Sequence, residues 1–227
     1  MTADDLTALG SLAEPSRRAL YEAVAQAPGP LSREQAADAV GVPLHSAKFH
    51  LDRLVEEGLL EVEYRRLSGR SGPGAGRPSK LYRRARRELA VSLPERRYDL
   101  AGAVLAEAVE RTGRDGTGLE AAVAAAADAA GRRMAAEPPA PRSRRPLRRL
   151  AEVLERNGYE PRFDESGTEL AMANCPFDRL AREHTDLVCG MNLALVEGAV
   201  DALGCRGAVT ASLAPSPDHC CVRAHAL

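Results

Sequence analysis

All five cysteines of this 227-residue chain lie in its last 53 residues. Stretches of 13, 15 and 14 residues separate Cys175, Cys189, Cys205 and Cys220, and Cys221 directly follows the last of them. Clustered thiols are soft ligands of the kind that hold zinc or iron–sulfur clusters. No pair has the close spacing of a zinc ribbon, so the spacing favours a metal centre without identifying the metal.

Disulfide pairing and simple burial are the alternative explanations for these cysteines. The N-terminus, Met1 to Asp5, is acidic and lacks an export signal, and no apolar run is long enough to span a membrane. We therefore expect a cytoplasmic protein with reduced thiols, and an odd number of cysteines also argues against complete pairing. Any single cysteine is explained by burial in a core. The set as a whole favours metal binding.

The chain between Cys175 and Cys189 has to bend if both are to bind one metal. A single straight helix would hold them ~21 Å apart, at a rise of 1.5 Å per residue. Residues 183–187 offer a break, with Thr185 as a new N-cap and Asp186 in the first turn. Two angled helices would then bring both cysteines together near helix N-termini, which lower the pKa of a thiol.

The net charge of −1 conceals a strong asymmetry. Residues 64–97 carry 11 Lys and Arg against Glu88 and Glu95, a net charge of +9. Residues 158–227 carry five Arg against ten Asp and Glu, a net charge of −5. A solvated surface usually mixes the two signs, so the basic stretch indicates a polyanionic partner such as nucleic acid.

The N-terminal pattern predicts three helices and a β-hairpin. Apolar residues recur at helical spacing over residues 6–24, interrupted at Pro15. Ser32 and Gln35 have the spacing of a capping box, and Pro43 opens a third helix that ends near Gly58. Two short helices joined by a tight turn form a helix-turn-helix.

The residues after the third helix predict a wing. Residues 59–64 and 80–83 are expected strands, joined by a Gly- and Pro-rich loop over 68–79. A recognition helix places its N-terminal residues at base edges in the major groove. The candidate DNA-binding residues on helix and wing are Leu44, His45, Ser46, Lys48, Phe49, His50, Arg53, Arg70, Arg77 and Lys80.

These residues suit different parts of the DNA. His45 and Ser46 suit base edges, whereas Lys48 and Arg53 suit phosphates. Phe49 on a polar face is costly unless it packs or contacts a thymine methyl group. Solvent exposure alone is an equally good explanation for His45 or His50 taken singly.

Residues 6–84 resemble the ArsR/DeoR-like winged-helix repressors. The matching residues are His50-Leu51, Leu54, Gly58-Leu59 and Gly76-Arg77-Pro78 before Tyr82. The resemblance implies a winged helix that binds double-stranded DNA and acts as a repressor. The Cys-Val-Cys motif of some arsenic-type repressors is absent, so their N-terminal metal site is not implied.

The C-terminal motifs resemble the sensor domain of the Suf-operon repressor group. They are Asn174-Cys175-Pro176-Phe177, Leu187-Val188-Cys189-Gly190-Met191-Asn192 and His219-Cys220-Cys221-Val222. The resemblance implies an iron–sulfur cluster, 4Fe-4S or 2Fe-2S, bound by Cys175, Cys189 and Cys220, with zinc as the alternative.

The identity of the fourth metal ligand stays open. Cys205 is either that ligand or a buried core residue. His184, His219 and Asp218 are the other candidates. Cys221 is expected to face away, since neighbouring residues alternate across a strand.

The expected fold is α+β. Residues 1–95 form the winged-helix domain, 96–157 Ala-rich helices for dimerisation, and 158–227 a small α+β sensor domain with a hairpin around residues 164–167. The first functional hypothesis is a homodimeric repressor whose DNA affinity depends on its cluster. The second is a regulator with an organic effector and structural or zinc-binding cysteines. No Cys-His-Asp arrangement or phosphate-binding loop supports an enzyme.

Overall fold

The computed structural model describes residues 3–66, 78–216 and 219–227. Its fold is α+β, as predicted, and the chain divides into two compact units, Met1–Val91 and Ser92–Leu227. Each unit has a hydrophobic core of its own. In the described part of the chain, no helix combines the length and the apolar character that crossing a membrane requires.

Over residues 3–66 and 78–91, the first unit contains four helices and a small antiparallel sheet. The helices are α1 (Ala3–Ser11), α2 (Pro15–Gln26), α3 (Arg33–Val40) and α4 (Leu44–Glu56). The strands are β1 (Leu31–Ser32), β2 (Leu60–Arg65) and β3 (Ser79–Arg84), in the order β1-β3-β2. The predicted wing is the β2–β3 pair, in which Val62 lies opposite Tyr82.

Local capping chemistry sets the helix boundaries of this unit. The Ser32 hydroxyl accepts a hydrogen bond from the Gln35 backbone N–H at 3.2 Å, and the Gln35 side chain accepts from the Ser32 N–H at 2.8 Å. This is the predicted capping box. At the other end of α3, Gly41 takes a φ of +72°, a conformation that favours glycine and ends the helix before α4.

The second unit contains five helices and a four-stranded antiparallel sheet among the described residues. The helices are α5 (Tyr98–Asp115), α6 (Leu119–Ala136), α7 (Pro146–Glu155), α8 (Asp178–Glu183) and α9 (Thr185–Ala202). The strands are β4 (Pro161–Phe163), β5 (Glu169–Met172), β6 (Val209–Leu213) and β7 (Val222–Ala226), in the order β4-β5-β7-β6. The β4–β5 hairpin turns at the predicted residues.

Helices α5 to α7 share one core with α9 and the sheet. The sequence predicts residues 96–157 as a separate dimerisation region, whereas in the structure the small residues of α6 pack within the chain. A Cβ atom at Gly131 would collide with the Leu195 carbonyl group, and one at Gly198 with the Asp128 carbonyl group. The Ala- and Gly-rich face of α6 therefore allows close backbone contact with α9.

This close approach predicts a large loss of stability in Gly198→Ala. The added methyl group overlaps backbone that has no free space, so we expect the free energy of unfolding to fall by about 1–3 kcal/mol. Gly190→Ala is the matched control on the same helix, because a Cβ there meets nothing within 4 Å. It should gain about 1 kcal/mol from helix propensity. Urea unfolding of the metal-free protein measures both, and equal effects would contradict the packing argument.

The predicted break between Cys175 and Cys189 is confirmed, but its capping residue is not Thr185. Helix α8 ends at Glu183 and α9 begins at Thr185, with His184 between them at a φ of −137°. The Thr185 hydroxyl donates a hydrogen bond backwards to the Ala181 carbonyl group at 2.8 Å. This hydroxyl group therefore provides a partner for a carbonyl group near the end of α8 and does not cap α9.

Candidate functional site

Helix α4 presents most of its predicted DNA-binding residues to solvent. Ala47, Leu51 and Leu54 are buried on its inner face, as predicted. Phe49 is 64% exposed. The remaining predicted residues of the helix are Leu44, His45, Lys48 and Arg53, all exposed, and Ser46, half-buried. His45, Lys48, Phe49 and Arg53 line one groove together with Arg17 of α2. Asp52 and Glu56 also line this groove, so it combines cationic and acidic side chains with one exposed aromatic ring.

His50 differs from the other predicted DNA-binding residues of α4. Its side chain is only 13% exposed and lies 3.6 Å from the Glu14 carboxylate. Its Nδ1 accepts a hydrogen bond from Arg17 Nε at 3.4 Å. Glu14 in turn caps α2 by accepting from two backbone N–H groups. His50 thus links α4 to the start of α2, and the structure does not present it as a base-reading residue.

Lys80 of β3 is also engaged within the unit. Its ammonium group donates to Asp52 of α4 at 2.5 Å and lies 5.0 Å from the centre of the Tyr82 ring. Partial burial opposes the charged form of Asp52, but hydrogen bonds from Lys80 and Tyr82 outweigh it and lower the pKa of this carboxyl group. Lys80 therefore ties the wing to α4 and is not a free phosphate ligand. The predicted wing residues Arg70 and Arg77 lie outside the described residues.

Residues 12–63 match the family model of a helix-turn-helix domain. The match contains α2, α3 and α4 and extends into β2. The N-terminal unit is a helix-turn-helix DNA-binding domain. The match supports the assignment of the chain as a DNA-binding transcriptional regulator.

Comparisons of the chain with solved structures and with curated proteins indicate no further function. Human N-acetylserotonin methyltransferase in complex with SAM is similar at 16% sequence identity over 90% of this chain. The chain spans 44% of that protein, and the TM-score of 0.26 is too low to support any inference about fold or activity. No curated protein matches the chain.

Beyond the helix-turn-helix domain, the second unit brings four cysteines together from three segments of the chain. We call Cys175, Cys189, Cys220 and Cys221 the thiol centre. Cys175 follows β5, Cys189 lies near the start of α9, and the last two precede β7. The Cys220 backbone N–H donates to the Met172 carbonyl group of β5 at 2.8 Å, so the adjacent strands β5 and β7 position two of the three segments.

The four thiols interact in three pairs, which are Cys175 with Cys220, Cys220 with Cys221 and Cys221 with Cys189. Cys221 was expected to face away from the site, and that expectation is wrong. It lies between Cys220 and Cys189 because β7 begins only at Val222, so strand alternation does not apply to it.

The thiol centre favours protonated sulfur. The hydrogen bond that Cys175 donates to Cys220, together with burial, raises the pKa of Cys175. Cys220 accepts from Cys175, which lowers its pKa, but its donation to Cys221 and its burial outweigh this and raise the pKa to about 11. Burial likewise raises the pKa of Cys189, against the hydrogen bond from Cys221. The predicted lowering by helix N-termini is therefore wrong for Cys175 and Cys189.

Cys205, a predicted candidate ligand, has different neighbours. Its thiol donates to the Leu203 carbonyl group at 3.5 Å and accepts from Arg149 Nη1 at 3.7 Å. The residue is 2% exposed and belongs to the core of the second unit. These contacts agree with the alternative that Cys205 is a small buried core residue. Of the other candidate ligands, Asp218 lies outside the described residues.

The thiol centre fits a metal group by donor type and number. Four thiolates are the usual ligand set of 2Fe-2S and 4Fe-4S clusters and of structural zinc. Within the described ranges, no three His, Cys, Asp or Glu side chains are already arranged to hold a metal ion. The thiols hydrogen-bond to one another, so a metal has to displace their protons, and its affinity must rise with pH.

Two sets of polar contacts surround the thiol centre. Asn192 of α9 donates to Cys220 Sγ at 3.1 Å and accepts from the Tyr159 hydroxyl at 2.5 Å. Arg96 donates to the Cys175 carbonyl group at 2.6 Å. None of these three residues was among the predicted site residues, although Asn192 belongs to one of the C-terminal motifs. An asparagine within the apolar run of α9 was the one available signal for them.

Proposed function

We propose that this chain is a homodimeric transcriptional regulator whose DNA affinity is controlled by an iron–sulfur cluster bound at the thiol centre. The observation that carries the proposal is the proximity of four cysteines from three separate segments, whose thiols interact in three pairs. Structural burial alone gives no reason for four free thiols to meet. The proposal includes repression as the direction of control and assigns the chain no catalytic activity.

The residues of the chain have defined tasks in this proposal. Cys175, Cys189, Cys220 and Cys221 would hold the group, and the apolar core around them excludes water. A bound iron–sulfur cluster would supply a centre whose charge and integrity respond to oxidation. Strands β5 and β7 already pair in the sheet, so the occupied centre would add a link between α9 and the cysteine-bearing ends of these two strands.

One segment supports communication from the thiol centre to the helix-turn-helix domain. Residues 92–97 continue the chain directly from Val91, the last residue of the first unit. Arg96 and the Arg97 backbone N–H donate to the Cys175 and Pro176 carbonyl groups at 2.6 and 3.0 Å. A change in the position of Cys175 therefore moves the segment that leads to the DNA-binding domain.

A comparison of loaded and metal-free protein on DNA tests the proposed function. Full-length protein purified without oxygen, with and without iron and sulfide reconstitution, would be titrated onto duplex DNA selected from a random library. We expect the two affinities to differ by about 5–150-fold, the usual range of allosteric coupling. The affinity should fall steeply with salt, since phosphate contacts release counterions. Fluorescence anisotropy measures both effects.

Two outcomes would overturn the proposal. Wild-type protein that takes up no iron and sulfide would exclude the cluster, and equal DNA affinity of both forms would exclude its control. Substituting Cys175 and Cys189 together distinguishes the organic-effector alternative, because an effector-controlled regulator should keep its response. Zinc uptake without iron uptake would point to a structural metal.

A further inference from the structure

Two of the most buried polar side chains in the second unit lie beside the thiol centre. Asn192 is 1% exposed and Tyr159 is 2% exposed. A buried polar group is costly unless it is hydrogen-bonded, so its partners usually reveal its purpose. Here the partners form a line from the tyrosine hydroxyl through the asparagine amide to the sulfur of Cys220.

The tyrosine determines which end of the amide faces the sulfur. A phenol is protonated at neutral pH and donates its hydrogen to the Asn192 Oδ1 atom at 2.5 Å. The amide nitrogen of Asn192 is therefore turned toward Cys220, 3.1 Å away. Cys189 precedes Asn192 by three residues on α9, so the sulfur ligand and the donor lie on the same helix face.

The Asn192 amide forms a stronger hydrogen bond with an anionic sulfur than with a neutral thiol. A neutral thiol is a weak acceptor, whereas hydrogen bonds to charged acceptors are about twice as strong. A metal-bound cysteine carries its sulfur as a thiolate. Hydrogen bonds to cluster sulfurs are among the factors that set the reduction potential, and a donor favours the more negative, reduced state.

We propose that Asn192, oriented by Tyr159, is a positioning residue of the thiol centre that stabilises metal-bound Cys220 and raises the reduction potential of the group held there. The predicted effect on the reduction potential rests on the proposed function. The predicted effect on metal affinity holds for any metal bound by Cys220. A merely structural asparagine would affect stability and leave both quantities unchanged.

Two variants and one control test this inference in the full-length protein. Asn192→Leu removes the donor at similar volume, and Tyr159→Phe removes only the oxygen that orients the amide. Asn157→Leu is the matched control, because Asn157 is also buried but contacts the Val153 carbonyl group and Arg97. The measurements are anaerobic Co²⁺ titration of the metal-free protein and the midpoint potential of the iron- and sulfide-reconstituted protein.

We expect Asn192→Leu to weaken Co²⁺ binding by about 10–100-fold, with a smaller loss in Tyr159→Phe and none in Asn157→Leu. The midpoint potentials of the first two variants should be lower than that of the wild type. Unchanged affinity and potential in Tyr159→Phe and in folded Asn192→Leu would overturn the inference. If Asn192→Leu fails to fold, Tyr159→Phe decides alone.

Metal uptake by the wild-type protein distinguishes a failure of the proposed function from a failure of this inference. Uptake of Co²⁺ without uptake of iron and sulfide would overturn the iron–sulfur function, while the Co²⁺ affinities of the variants still decide the role of Asn192. Wild-type protein that takes up neither would overturn both.

Discussion

Cys175→Ser is expected to abolish metal loading, whereas Cys205→Ser should load like the wild type. Cys175 interacts with Cys220 in the thiol centre, and removing a direct ligand must cost more than the 10–100-fold typical of a supporting residue. We therefore expect at least about a hundredfold weaker Co²⁺ binding and loss of iron and acid-labile sulfide in Cys175→Ser. The DNA-affinity difference between loaded and metal-free protein should disappear with it.

Cys205→Ser is a demanding control because the residue is also a buried cysteine of the second unit. Its thiol contacts are with Leu203 and Arg149, and a serine hydroxyl can replace both hydrogen bonds. Circular dichroism confirms that both variants fold. Loss of loading in Cys205→Ser together with retention in Cys175→Ser would contradict the proposed ligand set.

The elements that local chemistry determines were predictable from the sequence. A capping box at Ser32 and the break before Thr185 each depend on a few neighbouring residues. The gathering of Cys175 with Cys189 followed from that break, since a continuous helix would have kept them apart. These predictions needed no knowledge of tertiary contacts.

The predictions that failed depended on exact boundaries or on partners distant in sequence. Cys221 was assigned to a strand that begins one residue later, so the alternation rule was applied outside its range. The predicted lowering of the thiol pKa values failed because it neglected the neighbouring Cys220 sulfur at Cys175 and burial at Cys189.

Arg96→Gln is expected to uncouple DNA binding from metal loading without preventing either. Arg96 is the side chain that ties the segment after Val91 to the loop carrying Cys175. Its guanidinium group donates to the Asn174 side chain and the Cys175 carbonyl group at 2.5 and 2.6 Å and lies 3.7 Å from Asp178. Glutamine cannot reach all three partners. The affinity difference between loaded and metal-free protein should shrink from about 5–150-fold to about twofold or less.

Arg97→Gln provides the matched control, because it removes the same charge one residue away. The Arg97 side chain contacts Asp99 and Asn157 and makes no recorded contact with the Cys175 loop in the described part of the unit. Its backbone hydrogen bond to Pro176 survives substitution. Both variants should keep the absorbance of the reconstituted protein, and both lose the same electrostatic attraction to DNA. Only Arg96→Gln should lose the response, since only it removes guanidinium contacts to the loop; the hydrogen bond from the Asn174 amide to the Glu95 carbonyl group remains in both variants. If both variants respond like the wild type, coupling must leave the thiol centre by another route, through α9 or β7.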